Sequence, residues 1–325
     1  MKTKLGRIVA VSALVFVAAT GCASAELIFK ESFAGPTVPS GWIMNGRENS
    51  PNSGPDTGTA KTDSDWFLSD ATGSFLRLTE SSPQQRTTAI FTENLFRTDK
   101  DFVFRMDLRI PAKKSNADGI GFFWLDADSV GDIGRTIGGS GEWLGTPRGD
   151  VTGTPGSANE TVSYGWYAGL RGYALEFDHY SNDPSEPPEY TALLNLSDWS
   201  HLRDTITDFS SDPNFYLNNG WQTVQFGYRS DADEYTLSWG YDGSAFANSK
   251  TYANTGVQRF ASAYFGFGAG THGLNADQDV RNVILEGSFA DPPGPAAVPE
   301  PGTWAAGALL TIGAVIAFWR RRKSL

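Results

Sequence analysis

The stretch GYALEFDHYSNDP, residues 172–184, gathers Glu176, Asp178, His179, Tyr180, Asn182 and Asp183 within eight positions of what reads as a strand. Successive side chains of a strand point to opposite faces. Glu176, Asp178, Tyr180 and Asn182 are therefore expected on one side, and Leu175, Phe177 and His179 on the other, with Phe177 in the core. A rise of about 3.3 Å per residue puts carboxylates two positions apart at roughly 6–7 Å. This alternation excludes His179 from any site built by Glu176 and Asp178 and makes it a partly buried or edge histidine. Such a row can be catalytic, metal-binding or merely a solvated acidic face. Two carboxylates, a tyrosine carbonyl and an Asn side chain suit a hard cation such as Ca²⁺, which takes six to eight oxygen ligands. Without a cation the pair would repel or raise a carboxyl pKa.

The flanking sequence has the same period of two. In DFVFRMDLRI (101–110), Phe102, Phe104, Met106, Leu108 and Ile110 face one way and Asp101, Arg105, Asp107 and Arg109 the other. TVQFGYR (223–229) repeats this with Val224, Phe226 and Tyr228, and YTLSWGYDG (235–243) with Tyr235, Leu237, Trp239 and Tyr241. GIGFFWLD (119–126) carries apolar residues at both phases and reads as a strand buried on two faces. Many such strands with Gly, Asn and Asp turns predict an all-β sandwich over residues 26–289. Asn45–Ser64 and Thr146–Thr161 are poor in apolar residues and are expected as long surface loops.

The ends are different. MKTKLGRIVAVSALVFVAATGCASA (1–25) has a basic start (Lys2, Lys4, Arg7), an apolar run from Ile8 to Ala19, and small residues Ala23-Ser24-Ala25, the pattern of a cleaved signal peptide with its helix. Ala19 makes ATGC a poor lipobox around Cys22, and cleavage after Ala25 would leave no cysteine, so stability must come from a core. At the other end, Trp304–Trp319 is apolar and reaches roughly 24 Å as a helix, a little short of the bilayer core. Arg320, Arg321, Arg322 and Lys323 follow, which predicts a transmembrane helix with a cytoplasmic C-terminus. Residues 290–298 (ADPPGPAAV) form a proline-stiffened linker.

Val298-Pro299-Glu300-Pro301, the apolar span and the Arg cluster occur in order and resemble the PEP-CTERM sorting signal of exopolysaccharide-producing Gram-negative bacteria. That resemblance, over 299–325, implies signal peptidase and exosortase as processing partners, transient anchoring in the inner membrane, and delivery to the cell surface or extracellular matrix. The whole chain has 26 basic and 37 acidic residues. Residues 1–25 take away three basic ones and 299–325 four basic ones and Glu300, leaving 19 against 36, a net charge of −17. Such a body repels nucleic acid and anionic membrane surfaces and favours divalent cations and neutral ligands.

EFDHYSN (176–182) is similar to the metal-loop signature of L-type (legume-type) lectins, E-F-D-T-x-x-N. SFLRLTE (74–80), ADGIGFFW (117–124), GGSGEWLG (138–145), GWQTVQFGY (220–228), TLSWGYDG (236–243) and AYFGFGAGTHGL (263–274) resemble further segments of that family, in the same order. The resemblance implies a concanavalin-like jelly-roll β-sandwich that binds sugar hydroxyls beside Ca²⁺. It implies that Asp178 bridges metals, that Tyr180 gives its carbonyl, and that Asn182 touches both ion and sugar. It also implies that Asp118, after a cis Ala117–Asp118 peptide, accepts from sugar hydroxyls. A backbone N–H near Gly139 and the loop Gly270-Thr271-His272-Gly273 would complete the pocket, with Trp143 or Tyr180 available to stack on a sugar.

Three departures are visible. Asp183 follows Asn182 at once, where the family's Asp lies several residues on. The family's metal-binding His has no counterpart; aligned on Asn195, Glu189 takes its place, which leaves Asp183 or Glu189 as replacement Ca²⁺ ligands alongside Glu176 and leaves a second, transition-metal ion without its imidazole. His272 replaces a glycine.

Glucanases of similar fold use E-x-D-x-E. Here Tyr180 holds the third position, so the general acid is missing, although Glu176 and Asp178 meet the roughly 6.5–9.5 Å spacing of an inverting pair. No Ser-His-Asp arrangement, phosphate loop or Cys/His cluster appears, and His201 and His272 stand alone. The expectation is an exported, surface-sorted, Ca²⁺-dependent carbohydrate-binding protein associated with exopolysaccharide, not an enzyme. The rivals are a structural matrix protein whose sugar site has decayed and a glycoside hydrolase.

Overall fold

A computed structural model describes residues 25–48, 59–110, 118–135, 138, 144–147, 169–180, 184, 186–202, 204–209, 220–241, 246, 248–253, 255–271 and 276–290. The expected signal and transmembrane helices lie outside them. Among the described residues no helix is long and apolar enough to cross a membrane.

The strands run in chain order from β1 (Glu26–Glu31), β2 (Trp42–Glu48) and β3 (Thr59–Ala60) to β4 (Phe67–Asp70), β5 (Gly73–Thr79) and β6 (Arg86–Phe96). Then come β7 (Phe102–Arg109), β8 (Gly119–Asp126), β9 (Gly172–Asp178), β10 (Tyr190–Asn195), β11 (Ser200–His201) and β12 (Thr207–Asp208). The last are β13 (Gln222–Arg229), β14 (Glu234–Tyr241), β15 (Asn248–Ala253), β16 (Ala263–Gly270) and β17 (Gln278–Gly287). They form two antiparallel sheets. One runs β15-β14-β13-β7-β17-β5-β4 with β1 also on β17; the other runs β11-β10-β9-β8-β16-β6-β2-β3 with β12 also on β10.

Alternation explains the core between them. β7 turns Phe102, Phe104, Met106 and Leu108 inward, and β13 does the same with Val224, Phe226 and Tyr228. Phe104 lies 5.3 Å from Phe226, 5.5 Å from Phe265 and 5.7 Å from Phe122, so its ring joins both sheets at the centre. A smaller apolar layer of Ile90, Phe123, Leu125, Leu170, Ala174, Leu194 and Leu196 covers part of the outer face of the β9-containing sheet. That layer buries Phe123 and Leu125, the outward phase of the second half of β8, a strand buried at every position as its apolar residues at both phases imply.

The outer face of the other sheet closes itself differently. Phe75 and Trp221 are buried there beneath guanidinium groups, with Arg109 at 4.6 Å and 4.5 Å from the two ring centroids and Arg281 at 4.1 Å from Trp221. Asp279, fully buried, pairs with Arg77 at 2.8 Å and with Arg109 at 2.8 Å.

Two loop expectations need correction. Asn45–Glu48 completes β2, with Asn45, Gly46 and Arg47 paired to β6 and Glu48 to Thr59; Thr59–Ala60 forms β3, and a short helix, α1, covers Asp63–Trp66. Backbone hydrogen bonds to β6 make a strand there of residues whose polarity reads as loop. Thr146 is buried, not at the surface, for reasons that lie in the site below. Phe104→Ala should cost about 3–5 kcal/mol in urea unfolding; a loss under 1 kcal/mol would show that the sheets do not meet at this ring.

Candidate ligand and cation site

The site begins with the position of β9. It lies between β8 and β10, with Asp178 opposite Gly119 on one side and Tyr190 on the other, and Glu176 opposite Gly121 and Ala192. Phe177, between them, points into the core. Both carboxylates therefore sit on the outer face, as their spacing predicts, but neither is solvated: each is only 2 % exposed.

The rows continue across the sheet. Gly119 pairs with Gly270 and Gly121 with Gly268 on β16, which in turn face Arg86 and Thr88 on β6. The glycines leave a trough with no side chains, and another segment lies down in it. A Cβ on Gly268 would fall 2.2 Å from the Gly145 carbonyl oxygen, and one on Gly121 would fall 2.3 Å from Thr146 Cγ2. The Thr88 hydroxyl donates to the Gly145 carbonyl at 2.7 Å and accepts the Gly138 N–H at 2.7 Å. Leu144, Gly145, Thr146 and Pro147 are thereby buried against the sheet beside Glu176.

Asp118 comes to the same place. Its N–H donates to the Gly270 carbonyl at 3.1 Å and its carbonyl accepts the His179 N–H at 2.7 Å, which ties the ends of β8, β16 and β9 together. Its side chain is buried, and its charge acts on Asp178. Thr271 is buried and engaged. Its N–H donates to the Gln85 carbonyl at 2.9 Å, and its hydroxyl accepts the Gln85 N–H at 3.0 Å and donates to the Ser82 carbonyl at 2.9 Å. It anchors the closing loop. Gly139, Trp143, Asn182, Asp183 and His272 lie outside the described residues.

Three expectations change. Tyr180 does not continue the β9 face: the strand ends at Asp178, the Tyr180 N–H turns back to Asp178 Oδ1 at 2.7 Å, and the side chain is 42 % exposed. Glu189 does not stand where the missing imidazole would. Tyr190 is the residue opposite Asp178, with its hydroxyl donating to Asp178 Oδ2 at 3.3 Å, while the charge acting on Glu189 is that of Asp208. His201 does not stand alone. β11 pairs with β10 at Leu194, and the imidazole reaches back so that Nε2 lies 2.6 Å from Glu176 Oε1 and Nδ1 lies 3.7 Å from Glu186 Oε1. His201 and Glu186 are the members of this cluster that residue spacing misses. The pairing of β11 with β10 and of β10 with β9 is what brings His201 back to Glu176.

Burial raises the Glu176 carboxyl pKa against the opposing pull of His201. Burial, and then the Glu176 charge, lift Asp178 well above the usual carboxylate range. Burial alone would lower His201, but the bond to Glu176 and the charges of Glu176 and Glu186 raise it. His179, on the other phase, is pulled down to about 3 by burial and stays neutral. Among the described residues no three His, Cys, Asp or Glu groups form a cation cage.

The shifts of Glu176, Asp178 and His201 share one sign, opposite to that of His179. Each of the three raised groups binds its proton more tightly in the folded state than in the unfolded chain, so stability falls as pH rises through the folded pKa values. Because His179 adds stability as pH rises toward its unfolded value of about 6.5, the clean window lies above it. Melting in EDTA should give a midpoint that drops from about pH 6.5 to pH 8, with a shallower drop in Asp178→Asn; a midpoint that climbs over this range would contradict the assignment.

Residues 297–323 match the PEP-CTERM protein-sorting motif. No curated protein matches the chain by sequence. Among solved structures, basic winged bean lectin with the Tn antigen aligns at 14 % identity over 81 % of this chain and 98 % of its own, with a TM-score of 0.53. The exoplasmic/lumenal domain of VIP36 in its Ca²⁺/Man₃GlcNAc-bound form aligns at 14 % identity over 84 % and 93 %, with a TM-score of 0.50. The lectin from Bauhinia forficata in complex with GalNAc aligns at 17 % identity over 82 % and 100 %, also at 0.50. At these identities the likeness is one of fold: the chain has the two-sheet jelly-roll sandwich of legume lectins and VIP36, followed by a PEP-CTERM sorting motif.

Proposed function

We propose that this protein is an exported carbohydrate-binding protein that reads sugar hydroxyls beside a bound Ca²⁺ and acts at the cell surface, on exopolysaccharide or extracellular matrix. One observation carries the reading. Asp118, Asp178, the buried 144–147 segment and the Thr271 anchor meet on one outer face of a sandwich whose structural neighbours are lectins. The residues fit a cation, because a buried Asp178 beside Glu176 and Asp118 concentrates negative charge that a single peptide N–H and a phenol do not neutralise. Asp178, the Tyr180 carbonyl, Asn182 and Asp183 would hold Ca²⁺. Bound there, the ion would neutralise Asp178 and fix the loop that follows β9.

Asp118, Asn182, His272 and a backbone N–H near Gly139 would then meet the sugar, with the exposed Tyr180 ring available to stack on it. Thr271 serves by holding its loop, since its hydroxyl is already shared between Gln85 and Ser82. Glycoside hydrolysis is disfavoured by the same geometry: Glu176 is buried and bound to His201, so it is not presented to a substrate. The sorting motif supports export and exosortase processing at the membrane.

A glycan array probed with the full chain should show retention that EDTA removes and Ca²⁺ restores. Asp118→Ala should lower retention at least about 100-fold, a loss of roughly 3 kcal/mol, with an unchanged circular dichroism spectrum. Gly268→Ala should lift the 144–147 segment and weaken retention roughly tenfold. Retention indifferent to both EDTA and Asp118→Ala would refute the site.

A further inference from the structure

The family resemblance implies two metal ions, and the donor set here does not fit the second. Besides Asp178, the carboxylate that a second ion would need is Glu176, which is buried. Glu176 Oε1 lies 2.6 Å from His201 Nε2. That separation is a hydrogen-bond length. Two ligands of one first-row ion, each about 2.1 Å from the metal, would stand roughly 3.4 Å apart in a tetrahedral site; at 2.6 Å they would subtend only about 75–80°. The other ring nitrogen, Nδ1, faces Glu186 Oε1 at 3.7 Å. An imidazole with a carboxylate at each nitrogen has the arrangement of a two-donor cation.

Tyr190 fixes this geometry. Its ring meets the imidazole edge to face at 5.7 Å, and it occupies the position opposite Asp178 from which a metal-binding side chain would reach the ion. We infer that His201 takes the place of the second metal ion: it is a positioning residue that neutralises and holds Glu176, so the domain takes up one divalent cation, not two. The inference rests on the Ca²⁺ reading above for the first ion and adds what replaces the other.

The test uses the full chain. After EDTA treatment and saturation with Ca²⁺, calorimetric titration with Mn²⁺ and with Zn²⁺ should show no further site that depends on His201. The ¹⁵N resonances of the His201 ring should report two N–H groups at pH 7 in EDTA and stay in place when Zn²⁺ is added. His201→Gln should lower the melting midpoint by roughly 10 °C, since it leaves a buried carboxylate unpaired. Glu176→Gln in the same chain should recover most of that loss, a coupling that separate structural roles would not produce. One equivalent of Mn²⁺ or Zn²⁺ bound by the native protein and lost in His201→Gln, or a His201 Nε2 resonance that shifts on adding Zn²⁺, would make the imidazole a metal ligand and overturn the inference. Should His201→Gln fail to fold, the resonances of the native chain decide alone. Failure of Ca²⁺ to bind would strike the reading of the first ion, while the ring nitrogens in EDTA would still judge this one.

Discussion

Two carboxylates buried side by side on the outer face of a central strand constrain everything around them. Moving an ionised carboxyl out of water is expensive, and the cost is met by a proton, a cation or several hydrogen bonds. Asp178 takes a peptide N–H and a phenol; Glu176 takes an imidazole. The flanking strands offer Gly119, Gly121, Ala192 and Tyr190 in register, so within the sheet Tyr190 is the large side chain that meets the pair. The chain then lays other segments over it. What reads in isolation as an acidic strand face is a charged interior that other elements must complete.

The two outer faces of the sandwich solve the same problem in opposite ways. On one, Phe75 and Trp221 are closed over by Arg109 and Arg281, with Asp279 between Arg77 and Arg109, so the face is sealed by its own charges. On the other, the sheet is furnished with loops: an apolar layer around Phe123 and Leu194 at one end, and a glycine trough holding Gly145 and Thr146 in the middle. The second arrangement lays a whole irregular segment, residues 144–147, over the sheet that carries the buried carboxylates. That is the reason the proposed site is placed on this face.

Much of this was legible in the chain, and particular residues show where legibility stops. The alternation in 101–110 assigned Phe104 and Met106 to the core and Arg109 to the outside, and the doubled apolar phase of 119–126 matched a strand buried on both sides. The alternation in 172–178 put Glu176 and Asp178 opposite Phe177, and His179 away from them. It failed at Tyr180, because the turn that ends β9 breaks the period one residue after Asp178. Composition misled for residues 45–47, where pairing with β6 outweighs a polarity typical of loops. Counting back from Asn195 pointed to Glu189, yet register makes Tyr190 the partner of Asp178, a slip of one residue that reverses the face.

The sequence by itself determined the class of the fold, the inward phase of its strands, the acidic row and the sorting motif at 297–323. These depend on a repeat of two residues and on composition, which act over a few ångströms along the chain. The tertiary structure alone decided what the row meets. Glu176 and His201 are 25 residues apart, and Thr88 and Gly145 are 57 apart. Such contacts are set by strand order and register, and those are chosen by the packing of the whole sandwich, not by any local stretch.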